Sequence, residues 1–400
     1  MNLRSPYPYW LLRHGIINSY PSLDADLKTE IVIMGAGISG ALVANQLCEA
    51  GYQVVIVDRR HAGMGSTAAS TSLLQYEIDN PLHQLINLVG EKNAVRSYLL
   101  CRQAILDIKK IGEQLKDPGL FSQKPSFQFA SFKKDITDLK KEYSLRKKAG
   151  FLLQWLEEKD IQKKFGFTKS AGILSQDGAE ADAYKITHSL LEKWISKGLQ
   201  VYDNTDIITI RHHKHDIELV AANKKKIRAK KLIIACGYES QQYIPKKVQE
   251  LQATYAICSE PFTRKDFWYK NALIWETDTP YLYLRTTNDN RILIGGKDVP
   301  FSDPDKRDSL INQKTKSLEK SFSKLFPDIC FKTDFKWAGT FASTKDGLPY
   351  IGSISQRPNT YFALGFGGNG ITFSAIAANI ITDLLSGKKN SDADIFRFDR

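Results

Sequence analysis

The chain reads as α/β: buried parallel strands with glycine-started helices, joined to a second part built of strands and one long helix. Three stretches predict this. Residues 30–58 run strand, glycine turn, helix and strand. Residues 231–237 form another buried apolar run that ends on glycine. Residues 360–385 repeat the order of strand, glycine loop and helix.

The first stretch is the most informative. Ile31-Val32-Ile33-Met34 has the length and β-branched content of a strand buried on both faces. Gly35, Gly37 and Gly40 follow in G-x-G-x-x-G spacing, with Ile38 and Ser39 between them. Gly35 serves a tight turn, Gly37 a close backbone approach to a pyrophosphate, and Gly40 the packing of the helix on the strand. The helix, apolar at Leu42, Val43 and Leu47, starts with unpaired N–H groups that suit phosphate and stops at Gly51. Gln53 to Val57 forms the second strand, and Asp58 stands where an acid accepts from a ribose hydroxyl. Strand, helix, strand and terminal acid together predict a dinucleotide site of the FAD/NAD(P)-binding Rossmann type.

The composition sets bounds. With 400 residues, 42% of them apolar, the chain can bury a large core or two intermediate ones. Five scattered cysteines and no CxxC argue for neither a disulfide framework nor a zinc site, and fit a reducing cytoplasm. No apolar run is long enough for a membrane span or a signal peptide, so the expected location is cytoplasmic. The net charge of +12 raises nucleic acid as a partner, but the lysines fall in short clusters such as Lys224-Lys225-Lys226 without interleaved aromatics. They read as solvated faces, and no nucleic acid is expected. His213 and His215 share a face of a hairpin but have no acid or cysteine beside them, so no metal is assigned.

In chain order, residues 1–29 form an arm rich in Tyr, Trp and Pro, packed through Tyr9, Trp10 and Leu11. Beyond Asp58 come Arg59 and Arg60; the retained acid argues for a free ribose 2′-hydroxyl. Gly63 to Ser72 is small and hydroxyl-rich, with Ser66, Thr67, Ala68, Ser70, Thr71 and Ser72 suited to wrap a ligand's phosphates. Residues 81–116 read as helices, Phe127–Phe132 as a strand, Asp135–Gly150 and Asp182–Lys197 as helices. A meander follows at Ile207–Arg211, Ile217–Ala221 and Lys231–Ala235. Tyr281 to Arg285 alternates strictly, placing Leu282 and Leu284 on the core face and Tyr281, Tyr283 and Arg285 on the other, where they line a polar cavity. Near the end, Gly365-Phe366-Gly367-Gly368-Asn369-Gly370 opens a second glycine-started helix from Ile371 onward. A flavin needs such a second positive helix end, which stabilises the anionic reduced ring.

Taken together, GAGISG with Asp58, GMGSTAAS, ADAYKITHSLL, LIIACGYES, YLYLRTTNDNRILIGG, WAGTFASTKDGLPYIG and YFALGFGGNGIT resemble the D-amino-acid oxidase superfamily of FAD-dependent oxidoreductases. They follow that family's order over nearly the whole chain. The resemblance implies a discontinuous FAD-binding domain at residues 1–85, 171–240 and 336–400. It also implies a substrate domain at 86–170 and 241–335, built α+β on a mixed sheet above the flavin ring. It adds Ile207, Ala235, Cys236, Gly237, Gly339 and Thr372 to the cofactor contacts and makes Arg285 the anchor of a substrate carboxylate. Relatives that bind FAD covalently carry a histidine near Ala69 or a cysteine near Gly339. Neither is present here, so non-covalent FAD is expected. Where amino-acid oxidases often show Arg-Pro, this chain has Phe341-Ala342, which argues against a second carboxylate contact and hence against glycine-like substrates.

The expected reaction is oxidation of a C–N bond in an amine or amino acid by hydride transfer to flavin N5, with oxygen or a carrier as electron acceptor. Tyr255, Tyr281 and Tyr283 are candidates for an aromatic wall or for core packing. Lys297 is a candidate for a cation near the flavin or for an exposed strand end. Two alternatives stand beside this reading: a dehydrogenase feeding a quinone or carrier protein, and a flavin-containing accessory protein bound to RNA or a membrane.

Overall fold

The apolar run Ile31–Met34 is buried because its strand, Leu27–Met34, lies mid-sheet between two parallel neighbours. Val54–Val57 pairs on one side and Lys226–Ile234 on the other. Alternation then splits the residues between two cores. Ile31, Ile33, Val54 and Ile56 face the helices Ile38–Glu49, Ala183–Ile195 and Gly370–Leu385. Val32, Met34, Val55 and Val57 face the meander, against Ile217, Leu219 and Ile227.

A computed structural model describes residues 1–264 and 267–400. The first sheet has eight strands. Its main order runs Tyr350–Ser353, Thr360–Leu364, Lys226–Ile234, Leu27–Met34, Val54–Val57 and Gln200–Tyr202. Lys226–Ile234 changes partners along its length. One edge runs parallel to Leu27–Met34 throughout, while the other pairs antiparallel with Ile217–Ala221 at its start and parallel with Thr360–Leu364 at its end, so the meander and the parallel sheet share one strand.

The second sheet has nine strands and is mixed. Its main order is Thr333–Ser343, Glu250–Ser259, Ile292–Val299, Tyr283–Thr286, Leu273–Glu276, Phe121–Phe129, Ala171–Ala181 and Leu73–Leu74. Leu273–Glu276 runs parallel to Phe121–Phe129, while the other neighbours are antiparallel. The helix Ile311–Leu325 covers one face through Leu318 and Phe322.

The expected domain boundaries differ from this arrangement. Ala171–Ala181 and residues 336–343 lie in the second sheet. The helix Glu91–Leu115 packs Tyr98, Cys101 and Ile105 into the core of the first sheet. The reason is physical: a strand joins the sheet that completes its hydrogen bonds, and a helix joins the face that buries its stripe.

The arm docks as expected through Tyr9 and Trp10, both buried in the short helix Tyr9–His14. It also extends the second sheet. Thr340 N donates to Leu3 O at 2.8 Å and Ser5 N to Ala338 O at 3.0 Å, continuing the edge of Thr333–Ser343.

Candidate functional site

A cavity of about 470 Å³ runs between the two sheets. Its first wall is the glycine turn. A Cβ on Gly35, at φ +107°, would fall 2.4 Å from Ala235 O, and one on Gly40 would fall 1.9 Å from Gly35 O, so neither position accepts a side chain. Gly40 therefore shapes the turn from outside the cavity. At Gly37 an added Cβ would meet Thr67 Oγ1 at 2.9 Å, and that oxygen accepts from Ile38 N at 3.0 Å.

Asp58 closes the far end. Its Oδ2 accepts from Ala36 N and its Oδ1 from Arg60 N, both at 2.8 Å. Burial pushes its carboxyl up to about 6, against these two donors and the Arg60 charge. Arg59 and Arg60 also line the cavity, but both pair with Glu239, with Arg60 Nη1 3.0 Å from Oε2. One carboxylate offsets only part of their two charges, and the acid at Asp58 remains the acceptor suited to a free ribose hydroxyl. Glu239, in GYES, is a residue the sequence reading did not single out. Ile207, Ala235, Cys236 and Gly237 line this end as expected.

The hydroxyl-rich loop forms the middle. Ser66, Thr67, Ser70, Thr71 and Ser72 line the cavity, while Ala68 is fully buried behind it. The loop's carbonyls are drawn outward by donors from elsewhere in the chain. Trp337 Nε1 donates to Ala69 O at 2.9 Å and Trp10 Nε1 to Ser70 O at 2.7 Å. Arg285 Nη1 donates to Thr71 O at 3.1 Å and to Ser72 O at 3.0 Å. Ser66 Oγ and Ser72 Oγ are buried without partners.

The second glycine loop supplies the remaining wall through Phe366, Gly367, Gly368, Gly370 and Ile371, with Gly339 opposite. Gly365, Asn369 and Thr372 stand outside the lining. Gly365, at φ +77°, makes the turn into the loop. Asn369 Nδ2 ties the loop to Gln75 O and Glu77 O, and Thr372 Oγ1 donates to Asn369 O at 2.9 Å. Ser39 and Ser374, one from each glycine-started helix, meet at 2.7 Å, which fixes the two helix starts together.

Thr254, Tyr255, Tyr281, Tyr283, Asp298 and Trp337 of the second sheet close the cavity. Tyr255 is fully buried at the wall, with its hydroxyl donating to Arg307 O at 3.2 Å. Tyr281 and Tyr283 stand 5.9 Å apart. Tyr281 Oη donates to Asp79 Oδ1 at 3.1 Å, and Gly368 N donates to Asp79 Oδ2 at 2.9 Å.

Two expectations are corrected here. Arg285 does not reach the cavity. It is buried against the Thr71–Ser72 loop, bonded to Thr71 O, Ser72 O, Thr286 O and Ala181 O, with Glu180 Oε2 at 3.5 Å. Alternation puts it on the tyrosine side, but the Thr71–Ser72 loop takes up its donors and it is absent from the cavity lining. Lys297 is likewise absent from the lining. Gly296 at φ +132° and Lys297 at φ +61° break the strand's alternation beside a register shift at Ala253/Tyr255, and the inward position passes to Asp298. The double glycine is the signal that could have shown it, since paired glycines in a strand mark a bulge.

The residues fit a flavin dinucleotide. Two helix starts without side-chain N-caps of their own, unpartnered buried hydroxyls, an acid at the end of the second strand and a cradle that a Cβ at Gly37 would fill all converge on one cavity. Fold and site thus define a dinucleotide-dependent oxidoreductase whose cavity is lined from both sheets. The chain belongs to the FAD dependent oxidoreductase (DAO) family, which matches residues 30–384, and is an FAD-dependent enzyme. It is 24% identical to gamma-glutamylputrescine oxidoreductase of Escherichia coli K12, over 95% of this chain and 87% of that one. It is 23% identical to glycine oxidase of Geobacillus kaustophilus, over 91% and 94%. Among solved structures, that glycine oxidase superposes with a TM-score of 0.77 at 19% identity, covering 91% of this chain and 96% of the other. L-proline dehydrogenase from P. horikoshii superposes with a TM-score of 0.79, also at 19% identity, covering 94% and 99%.

Proposed function

We propose that the protein oxidises a C–N bond of an amine or amino acid. The observation that carries this is the continuity of one cavity from Asp58 to the tyrosine wall, which supports a substrate site at the tyrosine end. The names of the relatives support the substrate class, since gamma-glutamylputrescine, glycine and D-amino acids all offer a C–H next to nitrogen. When bound, FAD supplies the two-electron acceptor for that hydride. Asp58 holds the ribose, the Thr67 hydroxyl and the glycine turn receive the pyrophosphate, and the two helix starts place positive potential along the cofactor. FAD is held non-covalently, because Ala69 and Gly339 offer no nucleophile.

On the substrate side, Tyr255, Tyr281, Tyr283 and Trp337 exclude water and orient the carbon, and no residue of this chain is needed to take the hydride. The test is anaerobic bleaching of the flavin with a panel of amines and amino acids. Bleaching by at least one member, saturable in substrate, is expected, and no bleaching across the panel would overturn the reading. Peroxide formed in air would assign oxygen as acceptor, and turnover only with a quinone or dye would assign a carrier.

A further inference from the structure

Within that proposed amine or amino-acid chemistry, we infer that the cavity is built for a positively charged amine lacking an α-carboxylate, with Asp298 as the residue that holds its ammonium group. Asp298 lines the cavity beside Tyr281 and Tyr283. Its Oδ1 is buried without a hydrogen-bond partner. Among the described residues no cation lies within ion-pair distance of it.

The cations that could have satisfied it are committed elsewhere. Lys314 Nζ donates to Lys297 O at 2.7 Å and lies 5.3 Å from the Tyr255 ring centre. Arg285 is spent on four carbonyls, and Arg59 and Arg60 sit on Glu239 at the Asp58 end.

A half-desolvated carboxylate with no cation is costly, and a bound ammonium offsets that cost. The groups acting on Asp298 are Asp79, Lys314 and the Thr254 hydroxyl, with the phenols of Tyr255, Tyr281 and Tyr283 packed around it. Two carboxylates against one diverted lysine leave this end of the cavity negative. The three tyrosine rings add faces that attract a cation. Among the described residues, the arginines that line the cavity, Arg59 and Arg60, stand at the Asp58 end, so a substrate carboxylate at the tyrosine end would meet no arginine and would be repelled by Asp298. The inference is thus that charge, and not only shape, selects amines over amino acids.

The probes are n-pentylamine, norvaline (the same chain with a carboxylate) and pentanoate, titrated anaerobically into the FAD-loaded protein. The flavin spectrum reports binding, whether by a band shift or by bleaching. Pentylamine is expected to bind at least about 30-fold more tightly than norvaline, with pentanoate undetected, and Asp298→Asn to weaken pentylamine by about 30-fold or more at unchanged FAD content. Asp298→Glu, which keeps the charge, is expected to retain most of the affinity.

Norvaline binding as tightly as pentylamine in the unmodified protein would overturn the inference without recourse to any variant. So would equal pentylamine binding by Asp298→Asn, or no binding of either ligand. Asp298-dependent pentylamine binding without flavin reduction by any amine would uphold the charge selection and overturn the oxidation reading alone.

Discussion

Tyr283 lies flat against Gly295 of the neighbouring strand. A Cβ on Gly295 would sit 2.1 Å from the phenol's Cζ and Oη, and the two residues are paired directly across the ladder. The glycine leaves the space that lets a tyrosine ring lie along the sheet and form the cavity wall. Gly295→Ala is therefore expected to drive the ring toward the cavity. Overpacking of this kind costs about 1–3 kcal/mol, so a lowered thermal midpoint should accompany a fall in kcat/KM, with the FAD:protein ratio unchanged. Normal turnover together with a normal midpoint would show that the ring adjusts freely.

Gly37→Asp should abolish FAD retention. Its Cβ would press on Thr67 Oγ1 and so disturb the contact that holds Ile38 N, while the new carboxylate would repel phosphate. The measurement is flavin per protein after gel filtration, with the far-ultraviolet circular dichroism of the fold preserved. A folded variant with full FAD would show that this turn does not carry the pyrophosphate.

Arg285→Met should act through stability and the loop. It removes four donated contacts to carbonyls, while Glu180 keeps Lys124 Nζ at 3.5 Å, so the expected loss is about 1–3 kcal/mol for a buried carbonyl left unsatisfied. FAD retention should drop as Thr71 and Ser72 lose their tether, and any residual activity should fall equally for substrates with and without a carboxylate. A selective loss of carboxylate substrates in a stable, FAD-replete variant would make Arg285 an anchor after all.

FAD affinity should weaken as pH falls through about 6. The Asp58 carboxyl is raised from its ordinary range to about 6, chiefly by burial, so it takes up a proton there. The ribose hydroxyls need the ionised acceptor, so the affinity is fully present above that pH and falls by about tenfold per unit below it. The raised value has the opposite sign for the apoprotein, whose ionised Asp58 is a cost above the ordinary carboxyl range. Fluorescence titration of apoprotein with FAD between pH 5 and 8 reads the slope, and Asp58→Asn should flatten it.

Acid or heat denaturation should release the flavin into the supernatant, because Ala69 and Gly339 provide no attachment atom. Colour that stays with the precipitate would overturn the non-covalent reading.

The sequence by itself determined the dinucleotide half of the site. Ile31–Met34 and the three glycines are contiguous, Asp58 ends the very next strand, and each role of the glycines, whether turn, close approach or helix start, depends on backbone within a few residues. The meander at 207–234, the Gly370–Leu385 helix and the facing of Leu282 and Leu284 to the core were legible for the same reason: local hydrogen bonding and burial set the period. Only the tertiary structure decided the substrate half. Whether Arg285 meets a ligand depends on Thr71 and Ser72, more than 200 positions away, taking up its donors. Whether Lys297 or Asp298 turns inward depends on a register shift against Glu250–Ser259. Strand alternation names a face, but what covers that face is set by distant chain, and a single bulge exchanges a cation for an anion at the wall of the cavity.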